Sequence, residues 1–97
     1  MSLPPVEPNV VDNQPELRYE VWLGDRLAGT IRYTREGDVV TLVHTEVDPA
    51  FEGEGLGTVL VAGALDDVRA QGKLVHPLCP FVAAYIRRHP EYADIVA

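Results

Sequence analysis

The stretch FEGEGLGTVLV, residues 51–61, places glycines at 53, 55 and 57, immediately before a run of apolar residues. Glycine loses more backbone freedom on folding than any other residue, so a cluster of three needs a structural reason. A tight loop ahead of a helix is one such reason, because its bare N–H groups can approach phosphate oxygens closely. The stretch therefore predicts a strand-to-helix connection that either binds an anion or only turns the chain.

The residues on either side of this loop predict a mixed fold. Alternating apolar and polar residues, with turn signals at 24–25 and 35–38, precede the loop. The apolar residues after it have helical spacing, and a later helix begins at Pro80 and breaks at His89-Pro90. The predicted strands are 17–23, 27–34, 39–47 and 73–78, and the predicted helices are 56–71 and 80–88, with a last helical turn near 91–96. Because a strand–helix–strand unit implies a parallel pair, we predict an α+β (mixed α/β) fold, an antiparallel meander followed by a β-α-β unit and a C-terminal helix.

The third predicted strand is apolar on both sides at its start. This pattern predicts a central strand that is covered on both faces. Simple alternation puts Val40, Leu42, His44 and Glu46 on one side of it.

Length and composition predict a single domain. The proline-rich residues 1–9 read as a flexible lead-in, and 10–97 form the domain, with Val10–Asp12 pairing briefly at a sheet edge. The net charge of −7 argues against nucleic acid as a partner, so an anionic ligand would need backbone donors or a few well-placed cations. No apolar run reaches the length of a membrane span, no signal peptide is apparent, and a lone cysteine fits a reducing, cytoplasmic setting. Open sheet edges are compatible with a monomer or a weak dimer.

The glycine loop does not match two common phosphate-binding motifs. A P-loop needs a lysine at the helix start, and the dinucleotide fingerprint needs a glycine where Thr58 stands. The loop instead resembles motif A of the GNAT N-acetyltransferases, Gln/Arg-x-x-Gly-x-Gly/Ala, which falls on residues 52–57. Glu52 departs from that pattern, and Glu54 adds a second carboxylate beside it.

The wider chain, from about residue 10 to 96, resembles the minimal, single-domain YjdJ-type subgroup of that family. The stretches HTEV (44–47) and PLCPFVAAYIRRHPEYADIV (77–96) carry this resemblance together with the loop and the hairpin. The resemblance implies a sheet with a splay between two neighbouring strands, acetyl-coenzyme A as co-substrate, an amine acceptor of unknown identity, and no metal. It also implies coenzyme-binding positions at Val47, Gly53, Glu54, Gly55, Leu56, Gly57, Thr58 and Arg88.

The same resemblance places His44 and Cys79 at the active site. A thiol that caps a helix begun by Pro80 has a stabilised thiolate, which suits a nucleophile. A neutral imidazole near the acetyl group could take a proton from an amine or a thiol, and Glu46 is a further candidate base. The alternatives are a cysteine that is only a small buried hydrophobe and a buried histidine held by backbone hydrogen bonds.

The sequence is therefore compatible with three functions. The first is an acetyl-coenzyme A-dependent N-acetyltransferase acting on a small-molecule amine, a protein lysine or an N-terminus, by direct transfer or through Cys79. The second is a non-catalytic module that binds or senses acyl-coenzyme A. The third is a protein-interaction domain that has lost the coenzyme site.

Overall fold

An antiparallel meander occupies the first half of the chain in the computed structural model, which describes residues 6–97. Its strands continue into a fifth, parallel strand, and the sheet has the order β1-β2-β3-β4-β5. The strands are β1 (Pro8–Asn13), β2 (Arg18–Leu23), β3 (Arg26–Glu36), β4 (Val39–Val47) and β5 (Leu74–Pro77). The helices are α1 (Leu56–Ala70) and α2 (Pro80–Arg88), with 3₁₀ turns at Gln14–Glu16, Pro49–Phe51 and Pro90–Ile95. The predicted mixed α/β fold class is confirmed.

The limits of α1 follow from two glycines. Gly55, with φ of 74°, is its N-cap, and Gly72, with φ of 69°, lies just after its end. Both positions have left-handed backbone that glycine adopts without a steric penalty. The loop glycine therefore fixes where the helix begins, as the sequence predicts.

The first strand begins earlier than the predicted domain boundary at residue 10. β1 starts at Pro8 and pairs with β2 along its whole length, from Pro8↔Leu23 to Asn13↔Arg18. Residues 1–5 of the predicted lead-in lie outside the described residues.

A bulge in β4 changes which side chains share a face. Arg32 pairs with His44 and Tyr33 pairs with Leu42, so Val43 is an extra residue on β4. A bulge of this kind interrupts the two-residue alternation. The prediction that His44 and Glu46 share a face with Val40 and Leu42 is therefore wrong. After the bulge, the side chain that faces the core is Thr45, which pairs with the fully buried Ile31.

The hydrophobic core lies between one face of the sheet and the helices. It includes Leu42 from β4, Leu60 from α1 and Val82 from α2. On the opposite face Arg32, His44 and Glu46 are exposed, and we call it the open face. The predicted coverage of both faces of the third strand is thus wrong, and β4 lies second from the edge of the sheet. Among the described residues, neither helix has the length and apolar character needed to cross a membrane.

The pair β4 and β5 separates after four residue pairs. Parallel pairing runs from Val39↔Leu74 to Leu42↔Pro77, and the Cys79 amide then donates to the Leu42 carbonyl over 2.9 Å. β4 continues to Val47 with no partner in β5. The last five residues of β4 therefore present a backbone edge at the predicted splay.

Candidate functional site

A cavity of about 320 Å³ opens where β4 ends, beside the glycine loop. It is bounded by the end of β4, the loop and the first turns of both helices. Its lining residues are Thr45, Val47, Phe51, Glu52, Gly53, Gly55, Gly57, Thr58 and Phe81. Five of the eight predicted coenzyme-binding positions are among them: Val47, Gly53, Gly55, Gly57 and Thr58.

The three loop glycines have two different roles. Gly53 and Gly55 have φ of 84° and 74°, and a Cβ built on either would meet nothing within 4 Å. Their requirement is therefore conformational. Gly57 has helical backbone, but a Cβ there would lie 3.0 Å from Cζ of Phe81. Gly57 therefore allows the starts of α1 and α2 to approach each other at the cavity.

The start of α1 supplies backbone donors. The first amides of any helix have no partner within the helix, and in the described part of the chain no side chain caps this one. Gly57 and Thr58, two of these first residues, line the cavity. The helix dipole adds partial positive charge at the same point. This arrangement suits a phosphate group, although the Glu52 carboxylate shares the cavity and opposes it.

Cys79 lies beside the free edge of β4. It is 4% exposed and is the N-cap of α2, as predicted, and its Sγ lies 3.4 Å from Oγ1 of Thr45. Burial disfavours the thiolate, but the Thr45 hydroxyl and the backbone N–H groups of Val82 and Phe81 outweigh burial and lower the pKa of the thiol. Thr45 also lines the cavity, so it connects the thiol to the cavity wall.

His44 lies on the open face of the sheet. Its side chain is 60% exposed, and its Nε2 lies 3.2 Å from Oε1 of Glu46. The alternative of a buried structural histidine is therefore wrong. Because Thr45 turns towards Cys79, His44 points to the other side of β4, and the two predicted active-site residues are not in contact.

A second cavity of about 420 Å³ lies where β3 begins and β4 ends. Glu46 and Asp48 contribute carboxylates to its wall, and Val47 lines both cavities. Its formally charged lining residues are therefore acidic, which favours a cationic occupant.

A protein-family model described as GCN5-related N-acetyl-transferase matches residues 18–95 of the chain. The chain belongs to the GCN5-related N-acetyltransferase family. Protein NATD1 of Gallus gallus and of Homo sapiens are each 35% identical over 52 residues, which cover 54% of this chain. Those residues cover 47% and 46% of the two relatives, so the chain spans about half the length of the curated relatives it matches.

Two solved structures share the fold. The ribosomal-protein-S18-alanine N-acetyltransferase of Escherichia coli matches with a TM-score of 0.57 and 22% identity, over 65% of this chain and 41% of that protein. Ard1 of Thermoplasma volcanium matches with a TM-score of 0.54 and 23% identity, over 64% of this chain and 43% of that protein.

Three of the positions predicted to bind the coenzyme lie off the cavity wall. The Leu56 side chain is 4% exposed and belongs to the core, so only its backbone is available to a ligand. Glu54 is exposed on the loop and does not line the cavity. Arg88 ends α2, whose start lines the cavity at Phe81, and the seven residue steps from Phe81 to Arg88 correspond to roughly 10 Å along the helix.

Four residues of the cavity wall were not predicted as site residues: Thr45, Phe51, Phe81, and Glu52, which was noted only as a departure from the motif. Thr45 was placed on the wrong face by the unrecognised bulge. Phe51 begins the quoted stretch and Phe81 follows the helix-starting Pro80, so their positions beside the loop and Cys79 were available as signals. Which aromatic side chains reach the cavity depends on how α1 and α2 pack, and spacing along the chain does not determine that.

Proposed function

We propose that the chain is an acetyl-coenzyme A-dependent N-acetyltransferase of the minimal, single-domain YjdJ-type subgroup, and that it transfers an acetyl group to an amine. One observation carries this proposal: the glycine-loop cavity adjoins the unpaired end of β4. A nucleotide and an extended thiol arm need these two features side by side. Family membership agrees with this activity.

The loop and the strand would hold different parts of the coenzyme. The N–H groups of residues 53–58 would bind the pyrophosphate, because several donors converge there at a helix start. The pantetheine arm would lie along the edge of β4 between Val47 and Thr45, where backbone groups have no partner in β5. The thioester would then lie near Thr45 and Cys79.

Two chemical routes fit this placement. In direct transfer the amine attacks the thioester carbonyl, coenzyme A leaves as a thiolate, and water takes the amine proton, because the predicted base His44 lies on the other side of β4 from Cys79. In the covalent route the Cys79 thiolate attacks first and releases the coenzyme thiolate. The amine then attacks acetyl-Cys79 and regenerates the thiol. The lowered pKa of Cys79 favours the second route.

Replacing Cys79 by Ser separates the two routes. In the covalent route, coenzyme A release with an amine present falls by at least about 100-fold, since a serine hydroxyl is a far weaker nucleophile. Wild-type protein mixed with acetyl-coenzyme A alone should then show an acetyl adduct by intact mass spectrometry. Because Cys79 is the only cysteine, removal of the adduct by hydroxylamine identifies the thioester. Full activity of the serine variant would eliminate the covalent route.

A non-catalytic acyl-coenzyme A module is the second candidate. The observation in its favour is that His44 and Cys79 lie on opposite sides of β4 and do not contact each other. Saturable binding of acetyl-coenzyme A with no coenzyme release across small amines, lysine peptides and peptide N-termini would support it. Release of coenzyme A with any of these acceptors would instead support the N-acetyltransferase.

A further inference from the structure

Arg26 stands beside the glycine-loop cavity and was not among the predicted site residues. It is the first residue of β3, and its guanidinium carbon lies 4.8 Å from the centre of the Phe51 ring. Phe51 lines the cavity. Thus an exposed cation is held against the cavity wall by an aromatic side chain that forms part of it.

The contact with Phe51 leaves donors of this arginine available. A guanidinium carries five N–H donors, and a single aromatic ring cannot engage all of them. Within residues 6–97, Arg18 and Arg69 are in salt bridges with carboxylates, whereas Arg26 is in none. Its N–H groups can therefore bind an anion without first breaking an ion pair.

The cavity needs such a cation if it holds phosphate. Glu52 lines it, and the chain carries a net charge of −7, so both the local and the overall field oppose an anionic ligand. Arg26 supplies positive charge close to Glu52, because its guanidinium lies against Phe51, the residue that precedes Glu52 in the chain. Without Arg26, the backbone N–H donors alone would have to offset the repulsion between the Glu52 carboxylate and a bound phosphate.

The register of β3 places Arg26 at the nucleotide end of the proposed ligand. Gly29 pairs with Val47 at the end of β4. Arg26 lies three residues before Gly29, and because the two strands are antiparallel this places it roughly 10 Å beyond the end of β4. A ligand whose pantetheine arm follows β4 from Thr45 to Val47 would bring its phosphates past Val47, towards Arg26.

We propose that Arg26, positioned by Phe51, is a phosphate-binding residue for the nucleotide part of the coenzyme and replaces the positive charge that the acidic loop lacks. This inference rests on the proposed function. Two phosphate groups of coenzyme A have the required chemistry, the pyrophosphate and the 3′-phosphate.

The test is calorimetric binding of coenzyme A and of dephospho-coenzyme A, which lacks the 3′-phosphate, to wild type and to Arg26→Gln. Arg35→Gln is the matched control, because Arg35 lies near the other end of β3 and stacks on Tyr33 at 5.9 Å, away from the cavity. We expect Arg26→Gln to weaken coenzyme A binding about tenfold and Arg35→Gln to leave it unchanged. Arg26→Lys keeps the charge and loses the planar guanidinium. Its affinity for coenzyme A should lie between those of wild type and Arg26→Gln.

The two coenzymes distinguish the phosphates. If Arg26→Gln weakens the binding of coenzyme A alone, Arg26 binds the 3′-phosphate. If it weakens the binding of both coenzymes equally, Arg26 binds the pyrophosphate. Equal binding by wild type, Arg26→Gln and Arg35→Gln would overturn the inference and leave the proposed function standing. No binding by folded wild type would instead overturn the proposed function. A thermal unfolding curve for each variant shows that it is folded.

Discussion

At the scale of single residues, Glu20 shows how the open face accommodates a buried charge. It is 4% exposed and accepts hydrogen bonds from Arg18 at 2.7 Å and from Asn13 and Trp22 at 3.0 Å each. Burial alone would raise the pKa of this carboxyl, but the three donors and the Arg18 charge outweigh burial and lower it. The ionised form is thus the one that the fold stabilises.

Replacing Glu20 by Gln should therefore destabilise the protein in a pH-dependent way. A pKa lowered by folding adds stability above the unfolded value of about 4.3, and that stability is lost as pH falls through the folded value. We expect Glu20→Gln to lower the free energy of unfolding by about 1–3 kcal/mol at pH 7, and the difference from wild type to shrink at pH 3. Urea unfolding at both pH values measures this, with the exposed Glu36→Gln as control. An equal difference at the two pH values would contradict the assignment.

At the scale of elements, the contact between β1 and α1 depends on Gly63. A Cβ at this helical position would lie 2.8 Å from the side-chain carbons of Val10. Glycine is a poor helix former, so its presence in the middle of α1 reflects this close approach. The strand that begins before the predicted domain boundary is therefore packed against the principal helix.

A double-mutant cycle tests this contact. Gly63→Ala should destabilise the protein by about 1–3 kcal/mol, because overpacking outweighs the gain in helix propensity. Val10→Ala alone removes side-chain packing, but it also removes two of the three carbons that lie 2.8 Å from the new methyl group, while Cβ of residue 10 remains. We expect the double variant to be less destabilised than the sum of the single variants by about 1 kcal/mol in chemical denaturation. Strict additivity would show that the two residues do not pack as described.

Sequence patterns predicted where the helices and strands lie better than they predicted which side chains of a strand face the core. The limits of β4 and the starts of α1 and α2 follow from local signals, namely alternation, a glycine loop and a proline. The bulge at Val43 does not, because it is a property of the register between two strands. Its effect is visible only in the structure, where the buried positions Val40 and Leu42 are even-numbered and the later core-facing positions Thr45 and Val47 are odd-numbered. That shift in parity distinguishes a bulge from a strand covered on both sides.

At the scale of the whole molecule, the sequence predicted the order of the elements and the mixed sheet, and the glycine loop located the cavity. It did not predict that one face of the sheet carries the core while His44 and Glu46 lie on the other. It also did not identify Arg26, whose place beside the loop arises from pairing between β3 and β4. Long-range packing determines both features, and local patterns do not contain it.

The central claim is that the glycine loop binds the phosphates of acetyl-coenzyme A, and isothermal titration of Gly55→Asp against Gly37→Asp tests it most directly. Both glycines have positive φ, 74° and 60°, and a Cβ on either meets nothing within 4 Å, so the two variants carry the same strain and the same added charge. Only Gly55 lines the cavity. We predict that wild type and Gly37→Asp bind acetyl-coenzyme A with similar affinity and that Gly55→Asp loses saturable binding. Equal binding by both variants, or no binding by folded wild type, would contradict the claim.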